Sequence, residues 1–208
     1  MPNKRAAYAS EHLSQLLDGI PDGGRILSEN LPYGAVVGWP EVRSDGNPGL
    51  QTRFVIWPGA MAIALDEVTH EVYVVYQTRE VPGTEIVTVE LPGGGIDPDD
   101  TPFETASKEL LEETGVVATD RSEWIQLLDE GGCRPIDGLV WTSQHAFLLI
   151  NGRKIQEPAD GETTTVATLP LSKLIDIDNQ NGFKDPLSPY FLRRAQDWLK
   201  ENRPDLLT

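Results

Sequence analysis

The segment from Glu90 to Val116 constrains the fold more than any other part of the chain. It leaves a strand-like stretch, Ile86 to Leu91, passes through the turn Pro92-Gly93-Gly94-Gly95 and enters a helix whose start and stop signals are both in place. Thr101 is a good N-cap, Pro102 suits the first helical position, and Glu104 completes a Thr-x-x-Glu capping box, so a helix is predicted over residues 102–113. Phe103, Ala106 and Leu110 mark its inward stripe. Gly115 falls just past the end, where a left-handed residue is wanted.

The same segment is dense in acid. Asp97, Asp99, Asp100, Glu104, Glu109, Glu112 and Glu113 are opposed only by Lys108. On the predicted helix, Glu112 and Glu113 stand three and four residues after Glu109, so all three project from one face. Like charges at that spacing cost a helix roughly 0.2–0.5 kcal/mol per pair. A run of acids on a helix is ordinarily a solvated face. The glycines before it argue for more, because they permit positive φ and close backbone approach, and can present carbonyls to a metal and N–H groups of Gly94 and Gly95 to a phosphate. Clustered hard oxygen donors suit Mg²⁺ or Mn²⁺.

The remaining pattern predicts a mixed α/β (α+β) domain. Phe54 to Trp57 and Ala60 to Leu65 read as strand, and Val72 to Thr78 completes a hairpin with the latter. Trp124 to Leu128, Leu139 to Ile150 and Thr163 to Leu169 are further strands, and a terminal helix opens at Ser188-Pro189 with Leu187 and Leu192 as its hydrophobic staple. Residues 8–20 read as a short amphipathic helix, and residues 21–49 as short extended pieces between turns. Residues 1–52 are therefore set apart as a helix and β-rich extension, a dimerisation arm, and residues 53–208 as the main domain.

Gly94, Glu109, Leu110, Glu112, Glu113, Gly115 and Val116 together resemble a Nudix box. The pattern is Gly, five residues, Glu, seven residues, then Arg-Glu-U-x-Glu-Glu-x-Gly-U with U bulky and apolar. Asp100 stands where the pattern has Glu, and Lys108 where it has Arg. The two keep charge complementarity while replacing a bidentate fork by a point charge, so they form a structural pair. The resemblance implies a Nudix fold, a mixed β-sheet sandwiched by helices, that hydrolyses a nucleoside diphosphate linked to another group.

Carried over onto this chain, the resemblance makes Glu109, Glu112 and Glu113 the metal-binding and catalytic acids, with the Gly93 carbonyl a further ligand and Mg²⁺ or Mn²⁺ the cofactor. Tyr76-Gln77-Thr78-Arg79 and the Glu90-Leu91-Pro92 entry resemble the ADP-ribose and nucleotide-sugar pyrophosphatases, which implies that Arg79 binds substrate phosphate or braces the site. That subgroup often draws its general base from a later loop, and Glu162 is the favoured residue over Glu157 and Asp160. It is commonly a homodimer in which the N-terminal extension helps build the partner's site. A Ser-Pro-Gly segment usual in ADP-ribose hydrolases is missing from Cys133 to Trp141, so another nucleotide sugar or dinucleotide stays open. Trp39, Trp57, Tyr76 and Trp141 are the aromatic candidates for stacking on a base, Trp57 being placed in the substrate site.

Composition limits the partners. With 33 acidic against 17 basic residues the net charge is −16, which repels a nucleic-acid backbone, and no basic cluster exceeds a pair. The longest apolar runs, Ala60 to Leu65 and Ala146 to Ile150, fall far short of the roughly 18 residues of a membrane span. No apolar stretch follows Lys4-Arg5 to make a signal peptide, and the single Cys133 forms no internal disulfide, so a cytoplasmic protein is expected. His12, His70 and His145 show no metal-ligand spacing. The leading expectation is metal-dependent cleavage of ADP-ribose or a related nucleotide sugar to a nucleoside monophosphate and a sugar phosphate. Two alternatives are a house-cleaning nucleoside triphosphate pyrophosphatase and a nucleotide-sugar sensor that binds without cleaving.

Overall fold

Alternation along one strand sets the layers of the domain. In the computed structural model, which describes residues 20, 22–30, 34–136, 138–159, 165–180 and 182–207, the strand Gly59–Leu65 is buried on both faces. Its Ala60, Ala62 and Ala64 point to one side and Ile63 and Leu65 to the other. The three alanines are fully buried against Ala106 and Leu110 of the helix Pro102–Thr114, and their small side chains let the helix lie close to the sheet. The larger residues of the opposite face pack on Phe191, Leu192, Ala195 and Leu199 of the C-terminal helix. Each fully buried Leu, Ile or Phe in this core contributes about 1.5–3 kcal/mol.

In chain order the strands are β1 (Arg25–Asn30), β2 (Gly34–Val42), β3 (Pro48–Ile56), β4 (Gly59–Leu65), β5 (Glu71–Val81), β6 (Thr84–Glu90), β7 (Gly93–Gly95), β8 (Val116–Val117), β9 (Trp124–Gln126), β10 (Val140–Trp141), β11 (Gln144–Ile150), β12 (Arg153–Lys154) and β13 (Thr165–Pro170). The helices are α1 (Pro102–Thr114), α2 (Leu171–Asn179) and α3 (Leu187–Asn202). The central sheet runs β13-β5-β4-β11-β9, with β6 added to β5 and β7 to β4. It is mixed, because β11 is parallel to β4 while its other pairings are antiparallel. With α1 on one face and α3 on the other, this is the sandwiched mixed sheet expected of a Nudix fold.

β1, β2, β3 and β10 form a second sheet. The sequence boundary at 52/53 falls inside β3, whose end pairs in parallel with Val140-Trp141 of the main domain. The helix expected over 8–20 lies outside the described residues, save Ile20.

Three local readings need correction. The triple glycine is a strand rather than a turn: Gly93, Gly94 and Gly95 pair with Met61, Ala60 and Gly59, and none has a positive φ. The stretch Leu139 to Ile150 is two strands, because β10 joins the second sheet and β11 the central one. Helix α2 was not anticipated. It has nine residues, several of them β-branched or capping types, and only Leu171 and Leu174 of it are buried. By contrast, α1 spans Pro102–Thr114 with the reciprocal Thr101–Glu104 capping box present and Gly115 at φ 76°. No described helix is long and apolar enough to cross a membrane.

Candidate active site

The site forms where β4 changes partners. β4 pairs with β5 only at Leu65–Val72, and toward its start its edge is taken by the glycine strand β7. β5 continues instead with β6, and the hairpin they make presents Gln77, Arg79, Thr88 and Glu90 on one face. That face and β7 border a pocket of about 330 Å³ lined by Trp57, Arg79, Glu90, Gly93, Gly94 and Gly95, among others, and the Glu109 and Glu113 carboxylates of α1 reach the same glycine strand.

Side-chain absence along β7 makes the meeting possible. A Cβ on Gly93 would stand 2.6 Å from the Ala60 carbonyl oxygen, and one on Gly95 would stand 2.7 Å from Trp57 Cδ1. A Cβ on Gly94 would strike the Glu109 carboxylate, whose Cδ would be 2.6 Å away. The glycines are thus required for close approach rather than for an unusual dihedral.

The three acids of α1 differ in environment. Glu113 is buried, and its carboxylate accepts from the Gly93 N–H at 2.9 Å and from Gln77 Nε2 at 3.2 Å. Glu109 is half-buried against Gly94. Glu112 is half-buried, with its backbone carbonyl receiving the Ala159 N–H at 2.7 Å. Among the described residues no three His, Cys, Asp or Glu side chains converge tightly enough to cage a metal. The inward turn of Glu113 toward Gly93 and Gln77 is one physical reason. The donor chemistry nevertheless fits a hard divalent cation: carboxylate oxygens beside an uncovered glycine backbone, with the Gly94 position kept clear for one of them.

Arg79 is held rather than loose. Its Nε and one terminal nitrogen donate to the two Glu90 carboxylate oxygens at 3.0 and 2.6 Å. Burial works against the charge on Glu90, but the hydrogen bonds from Arg79 and Thr88 and the Arg79 charge hold its carboxyl below the usual range. The Thr88 hydroxyl donates to Glu90 and also lies 3.2 Å from the Gln77 carbonyl. A continuous polar path therefore links Arg79, Glu90, Thr88, Gln77 and Glu113.

Trp57 is fixed by its indole N–H, which donates to the Ile96 carbonyl at 2.7 Å, and the Cδ1–Nε1 side of its ring lies close against Gly95. The other stacking candidates lie elsewhere. Trp39 and Trp141 stack on each other at 5.6 Å in the second sheet, and Tyr76 packs against the main core. Lys108 donates to both Asp100 and Asp97 at 3.0 Å, which raises its pKa and closes the loop between β7 and α1. Asp97 is the partner the pattern did not supply. Glu162 and Asp160 lie outside the described residues, and Glu157 pairs with Lys154 at the surface.

Glu90, Gln77 and Thr88 were not singled out as site residues. Their signal was a period-two run of polar residues placed face to face across a hairpin, where apolar residues ordinarily face the core. It is visible only once the β5–β6 register is known.

Known proteins place this geometry. One curated relative, from Streptomyces rubellomurinus (strain ATCC 31215), is a CMP-5'-(N-acetyl-N-hydroxy-3-aminopropyl)phosphonate hydrolase, 25% identical over 138 residues, or 66% of this chain. The match spans 63% of that relative's own length. A crystal structure of an ADP compounds hydrolase superposes with a TM-score of 0.64 over 86% of this chain and 93% of its own, at 18% identity, a likeness of fold. A NUDIX domain model matches residues 56–191. That span holds β4, the glycine strand and the whole of α1, and the chain belongs to the Nudix family of hydrolases.

Proposed function

We propose that this Nudix hydrolase cleaves the pyrophosphate bond of ADP-ribose or a related nucleoside diphosphate sugar, with a divalent metal, to a nucleoside monophosphate and a sugar phosphate. The observation that carries the reading is the joint approach of the α1 acids and the Arg79–Glu90 pair to one uncovered glycine strand. Phosphoryl transfer asks mainly for positioning and charge stabilisation, and this arrangement offers both. Glu109, Glu112 and Glu113, with the Gly93 carbonyl, would hold Mg²⁺ or Mn²⁺. When bound, such an ion neutralises the pyrophosphate and acidifies water.

The chain's own groups take distinct parts in this reading. Gly94 and Gly95 let a phosphate approach the backbone. Glu90 orients the half-exposed Arg79 guanidinium toward that phosphate. Trp57, locked by Ile96, gives a flat wall for a base or sugar ring. Glu162 accepts the proton of the attacking water. The two relatives are named for a CMP phosphonate and for ADP compounds, both nucleotide derivatives, which supports the substrate class and leaves the base open. Exposed Leu50, Phe54 and Ile56 on β3, with Ile26 and Leu27 on β1, support a homodimer built through the second sheet. The protein works in the cytoplasm in this reading, its one cysteine being a free thiol.

The test is a product assay on ADP-ribose, CMP- and UDP-linked sugars and nucleoside triphosphates, with Mg²⁺ and with EDTA, for the wild type and Glu113→Gln. Release of nucleoside monophosphate and sugar phosphate, lost with EDTA and in the variant, is expected. Binding of every nucleotide sugar without turnover, or cleavage of triphosphates alone, would overturn the assignment.

A further inference from the structure

A second and larger cavity, about 510 Å³, lies at the other end of α1. It shares none of its described lining residues with the glycine-strand pocket. Its walls are aromatic. Phe103 meets Trp124 edge-on at 5.6 Å and Phe147 edge-on at 5.7 Å, and the Arg121 guanidinium covers the Phe103 ring at 4.4 Å. Such a box offers flat, rigid surfaces with a cation at the rim.

The histidine at its base is the telling residue. His145, the second residue of β11, pairs with Ala60 and is 6% exposed, and its imidazole has no hydrogen-bond partner among the described residues. His145 lines the cavity and its ring nitrogens are not among the sealed, unpaired polar atoms of the interior, so an occupant of that space can pair with them. Burial keeps the imidazole neutral by lowering its pKa, so one ring nitrogen donates and the other accepts. Gln126 and Glu130 add further donors and acceptors at the mouth.

Charge narrows the ligand. Arg121 is balanced by Glu130 in the same lining and by the nearby Glu104. The N–H groups of the helix start do not form an anion site, because Thr101 and Glu104 already cap them. A phosphate would therefore meet as much repulsion as attraction.

We propose that this cavity binds a neutral planar heteroaromatic ring bearing both donor and acceptor groups on its edge, a nucleobase presented as a free nucleoside, at a site separate from the hydrolytic centre. The ring stacks on Trp124 and meets the perpendicular Phe103 edge-on, and its own edge pairs with His145 and Glu130.

The experiment titrates adenosine, guanosine and cytidine into the full chain labelled with ¹³C-histidine, following the His145 Cε1–H resonance and the heat of binding, with adenosine monophosphate as the charged control. At least one nucleoside is expected to shift the His145 signal to saturation. His145→Phe weakens binding about tenfold, the equivalent of one lost hydrogen bond. Glu130→Gln, a change at an exposed position that leaves the core intact, also weakens it, whereas Trp57→Ala in the other pocket leaves it unchanged. The proposal is overturned if no nucleoside moves His145, if Trp57→Ala abolishes binding while His145→Phe does not, or if the monophosphate binds this site more tightly than the nucleoside.

Discussion

Gly93 and Gly94 are neighbours on one short strand, yet alanine at each position meets different matter. At Gly93 the new Cβ lies 2.6 Å from the Ala60 carbonyl oxygen and 2.9 Å from Met61 Cα. Both are backbone atoms of β4, which is pinned by β7 on one side and β11 on the other. Neither can step aside without moving the sheet, and overpacking of this kind costs about 1–3 kcal/mol. For a chain of this size about 2 kcal/mol lowers Tm by roughly 4–8 °C. At Gly94 the clashing atoms all belong to the end of the Glu109 side chain. That carboxylate can swing away, so the stability loss stays under about 1 kcal/mol, offset in part by the about 0.4–1 kcal/mol gained when a glycine leaves the unfolded chain. Displacing the carboxylate by an ångström or more from its place costs about a hundredfold in turnover. Thermal unfolding by circular dichroism and hydrolysis of ADP-ribose are measured on both variants. Gly93→Ala should melt early, and Gly94→Ala should melt near the wild type with turnover nearly gone. A Gly94→Ala protein that keeps full turnover would refute the placement of Glu109 in the chemistry. One that melts as early as Gly93→Ala would refute the steric reasoning.

Three further outcomes are expected. Arg79→Ala leaves the Glu90 carboxylate, 11% exposed, without its main partner and costs about 1–2 kcal/mol, while Arg79→Ala with Glu90→Gln recovers most of that stability but none of the turnover, as read by urea unfolding alongside kinetics. The Glu90 carboxyl titrates below its ordinary value of 4.5, so its contribution is present above that pH and is lost as pH falls through the lower folded-state value. The stability profile of Glu90→Gln should accordingly be flatter on the acid side than that of the wild type, and an unchanged slope would remove Glu90 from the account. Thr101→Ala removes the hydroxyl that accepts the Glu104 N–H while keeping the backbone N–H that donates to Glu104, and should cost about 1 kcal/mol in chemical unfolding, with hydrolysis kept, because the box lies at the end of α1 remote from Glu112 and Glu113.

How much could be read in advance varied with the range of the interactions. Helix α1 was legible because its signals are local: a cap, a proline, a reciprocal glutamate and a terminal glycine all lie within one short stretch. Strand β11 was legible as strand but not in its limits. Leu139 to Ile150 is a continuous extended run whose division at Thr142 and Ser143 depends on two different sheets competing for its halves. The bidentate fork lost with Lys108 in place of Arg is answered by a second carboxylate, Asp97, brought within 3.0 Å by the path of the loop.

By itself the sequence determined the family, the helix and the identity of the acids it carries, because the spacing of Gly94, Glu109, Glu112, Glu113 and Gly115 follows from one helix and its preceding strand. Only the tertiary structure decided what those residues touch. It made the triple glycine a strand on β4, turned Glu113 inward to Gly93 and Gln77, and committed Arg79 to Glu90. It also left His145 partnerless among the described residues at the wall of a cavity. These outcomes join residues 11 to 36 positions apart in several of the bonds, and β11 lies 85 residues beyond β4 where the two pair at Gly59–Gln144. Sequence patterns report the periodicity of one element at a time, whereas the partner of a polar side chain is fixed by which elements the whole core packs side by side.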